Sequence, residues 1–288
     1  MSSLAETLAR LAEKRVRGAA AATAFARPDA APAGEGSSAE PLGVESFLPG
    51  GVLEGPRGRC YLHERLRSDI EAPQPAWGRY PAPEWRVPAL HPDLAARVEH
   101  GLEGAVFLDL ETCGLSNAPV FLAGTMHWNG SDYVVRQYFA RDYSEEPALV
   151  DELTRFLAGF ETVITYNGKS YDVPFLGDRA ALHHVPFARP ARHLDLVHHA
   201  RRRWSGVLPN CRLVTVEWHV RRSRRVGDVP GSEVPDLYHD FVKYGAPHRL
   251  IPVFHHNLLD VITMDEILRA LVAGGEDDIE AMSAGELE

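Results

Sequence analysis

The sequence predicts an α/β domain built on a mixed five-stranded sheet, with three antiparallel strands, then parallel strands, and helices on its flanks. Apolar runs of strand length come first, and from about residue 145 helical periodicity alternates with short apolar strands. The chain of 288 residues is 45% hydrophobic and 24% charged, a composition typical of a globular protein.

Three strands are predicted first. Residues 105–110 form an apolar run, residues 120–128 follow after a turn, and residues 133–140 alternate between polar and apolar side chains. Asn129-Gly130 separates the last two strands and is a strong β-hairpin signal.

Helices and strands then alternate. Leu149, Leu153 and Leu157 share one face of a helix predicted over 145–160. The further predicted strands are 162–166 and 193–196, and the further helices are 172–183, 197–204 and 250–272.

Four segments are expected along the chain. Residues 1–42 resemble a short amphipathic helix and a flexible Ala-, Pro-, Gly- and Ser-rich linker. Residues 43–103 are rich in Pro, Gly and Trp and predict an irregular N-terminal cap with short strand-like pieces, such as 58–66. Residues 104–273 carry the predicted domain, and residues 274–288 form an acidic tail.

Composition excludes several classes of protein. No apolar run approaches the roughly 20 residues that a membrane helix needs, and Glu6 and Glu13 interrupt any signal-peptide pattern. Cys60, Cys113 and Cys211 are far apart and odd in number, which argues against a disulfide framework or a zinc knuckle. A cytoplasmic protein without a membrane partner is expected.

The net charge of −10 conceals a basic segment. Residues 189–225 contain ten Arg and only two acids, which gives this segment a charge of +8. A nucleic-acid backbone responds to local charge, so the segment favours a nucleic-acid partner; a solvated helical face is the alternative.

Asp109 and Glu111 form the first chemical motif. Residues i and i+2 of a strand point to one face, so both carboxylates project together from the end of the first predicted strand, about 6–7 Å apart. They repel each other unless a cation lies between them, although surface pairs of this kind are common.

The second motif is Asp172 at the start of a helix, after a strand and an Asn167-Gly168 turn. A helix cap explains this acid as well as catalysis does.

The third motif lies in the last predicted helix. Asp260 and His256 are four residues apart and share a face, whereas His255 points elsewhere. An acid among so many apolar neighbours needs a partner.

Together, the phrases FLDLETCGLS, TYNGKSYDVPFL, RHLDLVHHARRRW and HHNLLDV resemble the YprB-type ribonuclease-H-like domain, and their order resembles the DEDD superfamily of 3′–5′ exonucleases. The predicted element order is that of the ribonuclease-H-like fold. The resemblance covers about residues 104–273 and does not extend to the N-terminal hundred residues.

The resemblance implies that Asp109, Glu111, Asp172 and Asp260 bind two divalent cations, Mg²⁺ or Mn²⁺. It also implies a water-activating residue shortly before the fourth acid. One subgroup has His five residues before that acid and another has Tyr four before it; this chain has His255 and His256 there. His256 is the expected base and His255 the alternative.

Further residues are candidates for supporting roles. Asp195 is either an outer partner of the metal site or a helix cap. The expected phosphate contacts are Lys169, Arg201, Arg202 and Arg203, and the expected base-stacking residues are Tyr171, Tyr166 or Trp204.

These observations favour a metal-dependent nuclease, most specifically a 3′–5′ exonuclease acting on single-stranded DNA or RNA. The alternatives are a catalytically weak or inactive nucleic-acid-binding module of the same fold, and a phosphoesterase for small esters, for which the basic segment has no use. The sequence leaves open the choices between DNA and RNA and between exonuclease and endonuclease.

Overall fold

A computed structural model describes residues 43–73, 77, 91–222 and 225–273. The predicted N-terminal helix, linker and acidic tail lie outside these residues. Within the described part of the chain, no helix is both long and apolar enough to cross a membrane.

One mixed sheet of seven strands organises the described part of the fold. The strands are β1 Gly51–Gly55, β2 Gly58–Leu66, β3 Ala105–Thr112, β4 Val120–Trp128, β5 Tyr133–Phe139, β6 Thr162–Thr165 and β7 Arg192–Asp195. Their order across the sheet is β1-β2-β5-β4-β3-β6-β7. In that order, neighbouring strands from β1 as far as β3 are antiparallel, and β3, β6 and β7 run parallel.

Helices cover both faces of this sheet. The helices are α1 Pro92–His100, α2 Glu146–Leu157, α3 Asp172–Leu182, α4 Leu196–Trp204, α5 Leu213–Arg221, α6 Val234–Tyr244 and α7 Ile251–Ala273. On one face, α2 and α3 pack over side chains such as Val106 and Leu108; on the other, α7 packs over Phe107 and Met126. Burial on both faces explains the almost continuous apolar run of β3.

The predicted fold class is confirmed, but the strand count was wrong. The five expected strands are β3 to β7, and β1 and β2 extend the sheet past β5. Tyr61 of β2 pairs with Phe139 of β5, and both side chains are buried. The segment expected to be an irregular cap therefore supplies two strands, because a nine-residue strand within it satisfies the edge of β5.

Arg67 ties this N-terminal hairpin to the last helix. Its guanidinium is buried, lies 2.7 Å from Asp265 in α7 and stacks 4.5 Å from the centre of the Trp77 ring. Tyr133 donates a second hydrogen bond, of 2.7 Å, to Asp265. The hairpin and α7 thus share one buried polar network.

Candidate active site

The end of β3 carries Asp109 and Glu111 on one side of the strand, as their spacing predicts. Asn257 of α7 donates a 2.8 Å hydrogen bond to Asp109 Oδ2 and itself accepts one of 3.0 Å from Gln137. Gly124, opposite Asp109 in β4, permits this approach, because a Cβ there would lie 2.2 Å from Asn257 Oδ1. A glycine in the neighbouring strand is therefore what lets α7 approach the carboxylates.

Asp172 reaches the same place from α3. Its Oδ1 accepts a 3.0 Å hydrogen bond from the backbone N–H of Leu110, between the two acids of β3. Asp172 is the first residue of α3 and its side chain is turned toward β3, whereas Tyr171 is the N-cap. The expected alternative, a helix cap, does not describe this side chain.

The turn before α3 is braced by Asp195 from the end of β7. Its carboxylate accepts hydrogen bonds from the backbone of Asn167 at 2.7 Å, Lys169 at 3.0 Å and Val197 at 3.2 Å. Asp195 is thus the N-cap of α4 and at the same time fixes the loop that leads to Asp172. Of its two expected roles, the geometry shows the cap directly.

The third element of the site is α7, which brings in Asp260 and His256. His256 Nε2 lies 3.7 Å from Asp260 Oδ2 and 4.0 Å from Glu111 Oε1. The neighbouring His255 contacts the carbonyl of Val226 instead, at 3.2 Å. Of the two adjacent histidines, His256 is therefore the one beside the carboxylates.

Burial dominates the electrostatics of the four acids, and the charges of other acids in the cluster add to it for Asp109, Glu111 and Asp172. Burial, followed by the charges of neighbouring acids, raises the pKa of Asp109 and of Glu111 well above the usual range. Burial raises the pKa of Asp172 to about 7 despite the hydrogen bond from Leu110. It also raises the pKa of Asp260. A cluster of this kind is relieved by cations, and its all-oxygen donor set suits hard divalent ions such as Mg²⁺ or Mn²⁺.

His256 has a partner that the sequence did not indicate. Its Nδ1 lies 2.7 Å from Asp228 Oδ1, which leaves Nε2 facing the acids. Burial lowers the pKa of His256, but the hydrogen bond to Asp228 and the charges of Asp260 and Asp228 outweigh it, so that the net shift is upward. The same contacts lower the pKa of Asp228 in spite of its burial.

Arg225 and Glu217 are two further residues of the site that the sequence patterns did not indicate. Arg225 Nη2 lies 2.6 Å from Asp260 Oδ1, and the same guanidinium contacts Asp228 at 3.2 Å and the buried Glu217. In the sequence, Arg225 is one of the ten arginines of the basic segment 189–225. Only the loop before α6, which turns at Gly227 with φ 75°, brings it into the site.

The basic segment does not form one continuous stripe. Arg225 is in the site, Arg192 pairs with Glu161 at 3.1 Å, and Arg221 contacts Glu266 at 3.2 Å. Arg201 and Arg202 are exposed on α4, and Arg203 is partly buried. The segment is therefore divided between ion pairs within the fold and a basic end of α4.

The expected nucleic-acid contacts differ in how accessible they are. Lys169 is exposed beside the turn before α3. Tyr171 is partly buried and its hydroxyl contacts Thr112 Oγ1 at 2.6 Å, while that of Tyr166 donates to the Cys211 carbonyl at 2.8 Å. Trp204 is only 4% exposed within the core, so the expectation that it stacks on a base was wrong.

A mixed α/β sheet with carboxylates from the end of its central strand, a flanking helix and a long closing helix defines a ribonuclease-H-like domain. Residues 106–272 match the family model of the RNase H superfamily, which is more than half of the chain. The chain belongs to that superfamily, and the sequence resemblance to the YprB-type domain is confirmed. This membership supports a hydrolase of the nuclease class.

Two similar proteins extend the comparison. The chain is 32% identical over 187 residues to the "Uncharacterized protein YprB" of Bacillus subtilis (strain 168), in a match that covers 62% of this chain and 44% of that protein. The chain thus spans less than half the length of this relative. A family B DNA polymerase from the archaeon Pyrobaculum calidifontis aligns with a TM-score of 0.46 and 15% identity, over 59% of this chain and 27% of the polymerase.

Proposed function

We propose that this protein is a metal-dependent nuclease of the DEDD type, a 3′–5′ exonuclease that hydrolyses phosphodiester bonds of single-stranded DNA or RNA. The observation that supports this proposal best is the convergence of the four acids with His256 alongside. Asp172 is buried, the other three acids are partly buried, and the pKa of each is raised. Ordinary structural needs do not explain such a cluster.

The four carboxylates would bind two divalent cations, Mg²⁺ or Mn²⁺, through Asp109, Glu111, Asp172 and Asp260. When bound, such ions supply positive charge that activates a water molecule and stabilises the leaving 3′ oxygen. Asn257 keeps one oxygen of Asp109 oriented through its 2.8 Å hydrogen bond. Leu110 N–H does the same for Asp172 at 3.0 Å.

His256 is suited to accept the proton of the attacking water. Asp228 accepts a hydrogen bond from Nδ1, which places the ring's lone pair on Nε2, toward Glu111 and Asp260. The carboxylate of Asp228 also stabilises the imidazolium that forms when Nε2 takes a proton. Asp228 is thus a positioning residue for the proposed base.

Phosphate recognition is assigned to positively charged side chains near the turn before α3 and on α4. Lys169 is exposed next to the turn that leads to Asp172, and Arg201 and Arg202 are exposed on α4, which begins beside the same turn. Arg203, also on α4, and the half-buried Tyr171 complete the proposed surface. Charge at these positions would attract a polyanion to an otherwise acidic protein.

The decisive experiment is digestion of 5′-labelled single-stranded DNA and RNA oligonucleotides with Mn²⁺, Mg²⁺ or EDTA. The wild type is compared with Asp172→Asn and with a matched control, Asp178→Asn, which alters an exposed acid of the same helix. We expect a metal-dependent ladder that shortens from the 3′ end, absent with Asp172→Asn and retained with Asp178→Asn.

Other outcomes would separate the competing functions. Intact oligonucleotides in every lane, with tight binding that needs no metal, would replace the proposal with an inactive nucleic-acid-binding module. Internal cuts in place of a ladder would keep the nuclease but overturn the exonuclease. Equal activity of Asp172→Asn and the wild type would refute the proposed site.

A further inference from the structure

Three potential metal ligands meet away from the four acids. His91 directly precedes α1, Asp93 lies in the first turn of that helix, and His199 lies in α4. One donor atom from each residue lies within 4.8 Å of the other two. The group shares no residue with the proposed active site, so nothing said of it depends on the nuclease proposal.

The spacing of the donor atoms is close to that around a single zinc ion: one of the two separations below lies within the range expected for zinc ligands, and the other is slightly longer. Asp93 Oδ2 lies 3.4 Å from His91 Nδ1 and 3.8 Å from His199 Nε2. Both separations are at or beyond the outer limit of a hydrogen bond. Ligands bound to zinc at about 2.0–2.2 Å in a tetrahedron lie roughly 3.3–3.6 Å from one another.

The hydrogen bond at His91 shows where its lone pair points. Nδ1 acts as the acceptor of a 3.3 Å hydrogen bond from the backbone N–H of Asp93. The carboxylate of the same residue, a second acceptor, lies 3.4 Å from this nitrogen. A cation between them would satisfy both, and the displaced N–H at the exposed start of α1 would be solvated.

His199 offers a second imidazole ring. The residue is only 4% exposed, and the centre of its ring lies 4.9 Å from that of His91. Imidazole nitrogen is a common ligand of zinc. Its Nε2 is on the side of Asp93, while Nδ1 lies 3.5 Å from Arg202. With a metal at Nε2 the ring proton would reside on Nδ1, and the exposed Arg202 would turn toward solvent.

We propose that His91, Asp93 and His199 form a second metal site that binds one Zn²⁺ ion and links α1 to α4. Two imidazoles and one carboxylate suit a borderline ion such as Zn²⁺, in contrast to the all-oxygen acid cluster. The side chains of His91 and Asp93 are partly exposed, so that a water molecule from solvent can serve as the fourth ligand. Binding there would fasten the helix before β3 to the helix that begins at Asp195.

The test measures zinc binding to the full-length protein after treatment with EDTA and its removal. Titration with ZnCl₂ by isothermal calorimetry is compared for the wild type, His199→Ala, and the matched control His198→Ala, which removes the exposed neighbouring histidine. The variant Asp172→Asn is titrated as well, because zinc can also bind to the acid cluster and this variant alters one of the four acids. X-ray absorption at the zinc edge then reports on imidazole ligands.

We expect one tight zinc equivalent in the wild type, in His198→Ala and in Asp172→Asn, with an imidazole signature. Its affinity should fall by about 100-fold or more in His199→Ala, since even the loss of an outer partner costs 10- to 100-fold. Asp93→Asn and His91→Ala, which alter more exposed ligands, should weaken binding likewise even if His199→Ala fails to fold. No tight zinc, or tight zinc that survives every ligand variant, would overturn the proposal.

Discussion

Arg225 Nη2 lies 2.6 Å from Asp260 Oδ1, so one acid of the cluster already has a fixed positive partner inside the protein. The same guanidinium contacts Glu217, which is 2% exposed. The cluster is therefore not uniformly repulsive: its helix α7 side is partly neutralised, and the β3 side carries the strongest repulsion.

The first prediction concerns the stability of this ion pair. Replacing Arg225 with Gln leaves Glu217 buried without its main partner and should destabilise the fold by about 3–5 kcal/mol. The double variant Arg225→Gln/Glu217→Gln should recover part of that loss, because no unpaired charge is left at that position. Urea denaturation of the wild type, Arg225→Gln, Glu217→Gln and the double variant measures this; strictly additive losses would contradict the coupling.

The second prediction concerns Asp228. Asp228→Asn keeps the size of the side chain but removes the charge that orients and stabilises His256, so kcat on an oligonucleotide should fall about 10- to 100-fold with KM little changed. Adding His256→Ala to this variant should lower kcat little further, since both changes act through the same proton acceptor. Asp236→Asn, an exposed acid of α6, is the control. A rise in KM at constant kcat would assign Asp228 to binding instead.

The third prediction concerns Gly124. Gly124→Ala places a methyl group where Asn257 now sits and should destabilise the protein by about 1–3 kcal/mol. It should also lower activity, because Asn257 orients Asp109. Gly51→Ala, where a Cβ meets open space, should change the free energy of unfolding by no more than about 0.5 kcal/mol. Equal effects of the two substitutions would count against the close approach of α7.

The fourth prediction concerns the basic end of α4. Changing Arg201, Arg202 and Arg203 to Ala should reduce the slope of log K against log salt for single-stranded nucleic acid by up to about 2, since each lost phosphate contact removes about 0.7. Arg249→Ala, which removes an exposed arginine paired with Asp240, is the control. An unchanged slope in the triple variant would remove α4 from the proposed binding surface.

The fifth prediction concerns pH and Glu266, a residue of α7 outside the acid cluster. Burial raises its pKa from 4.5 to about 7, against the opposing charges of Arg221 and Arg67. Between these two values the folded state binds a proton that the unfolded state has released, so this group stabilises the fold at low pH and the contribution is lost as pH rises toward 7. The shift corresponds to about 3 kcal/mol. Glu266→Gln removes the titration.

Urea denaturation at pH 5 and pH 8 tests this sign. The stability of the wild type relative to Glu266→Gln should fall between pH 5 and pH 8. If the difference in the free energy of unfolding between the wild type and Glu266→Gln is constant or rises with pH, the Glu266 carboxyl is already ionised in the folded protein at pH 5.

The sheet shows what periodicity can and cannot predict. Strands β3 to β7 were expected within a few residues, because their apolar runs are bounded by turn residues such as Asn129 and Gly130. Strand β2 matches a piece noted as strand-like, but its partner β5 is distant in the chain, and local composition says nothing about such pairing. Helices α1, α5 and α6 were not predicted, and α5 is rich in β-branched residues.

The candidate site, too, was only partly predictable from the sequence. The acids could be proposed from sequence because their spacing within single elements puts them on one face, and the motifs resemble a known family. Asp228 and Arg225 lie in a loop, where no periodicity applies, and only the folded chain brings them to His256 and Asp260. Trp204 shows the converse, since an aromatic beside three arginines suggested a surface role and proved to be core.

The hairpin of β1 and β2 has a practical consequence for expression of the catalytic region. Without it, the backbone groups of β5 that now pair with β2 would form an open edge, and Asp265 would lose Arg67 and keep Arg269, 2.8 Å away, as a cationic partner. An open edge of this kind recruits other chains, and the loss of one cation from a buried ion-pair network lowers stability. A fragment cut at residue 104, the boundary that the family motifs suggest, should therefore aggregate, whereas one that begins before Gly51 keeps β5 paired with β2.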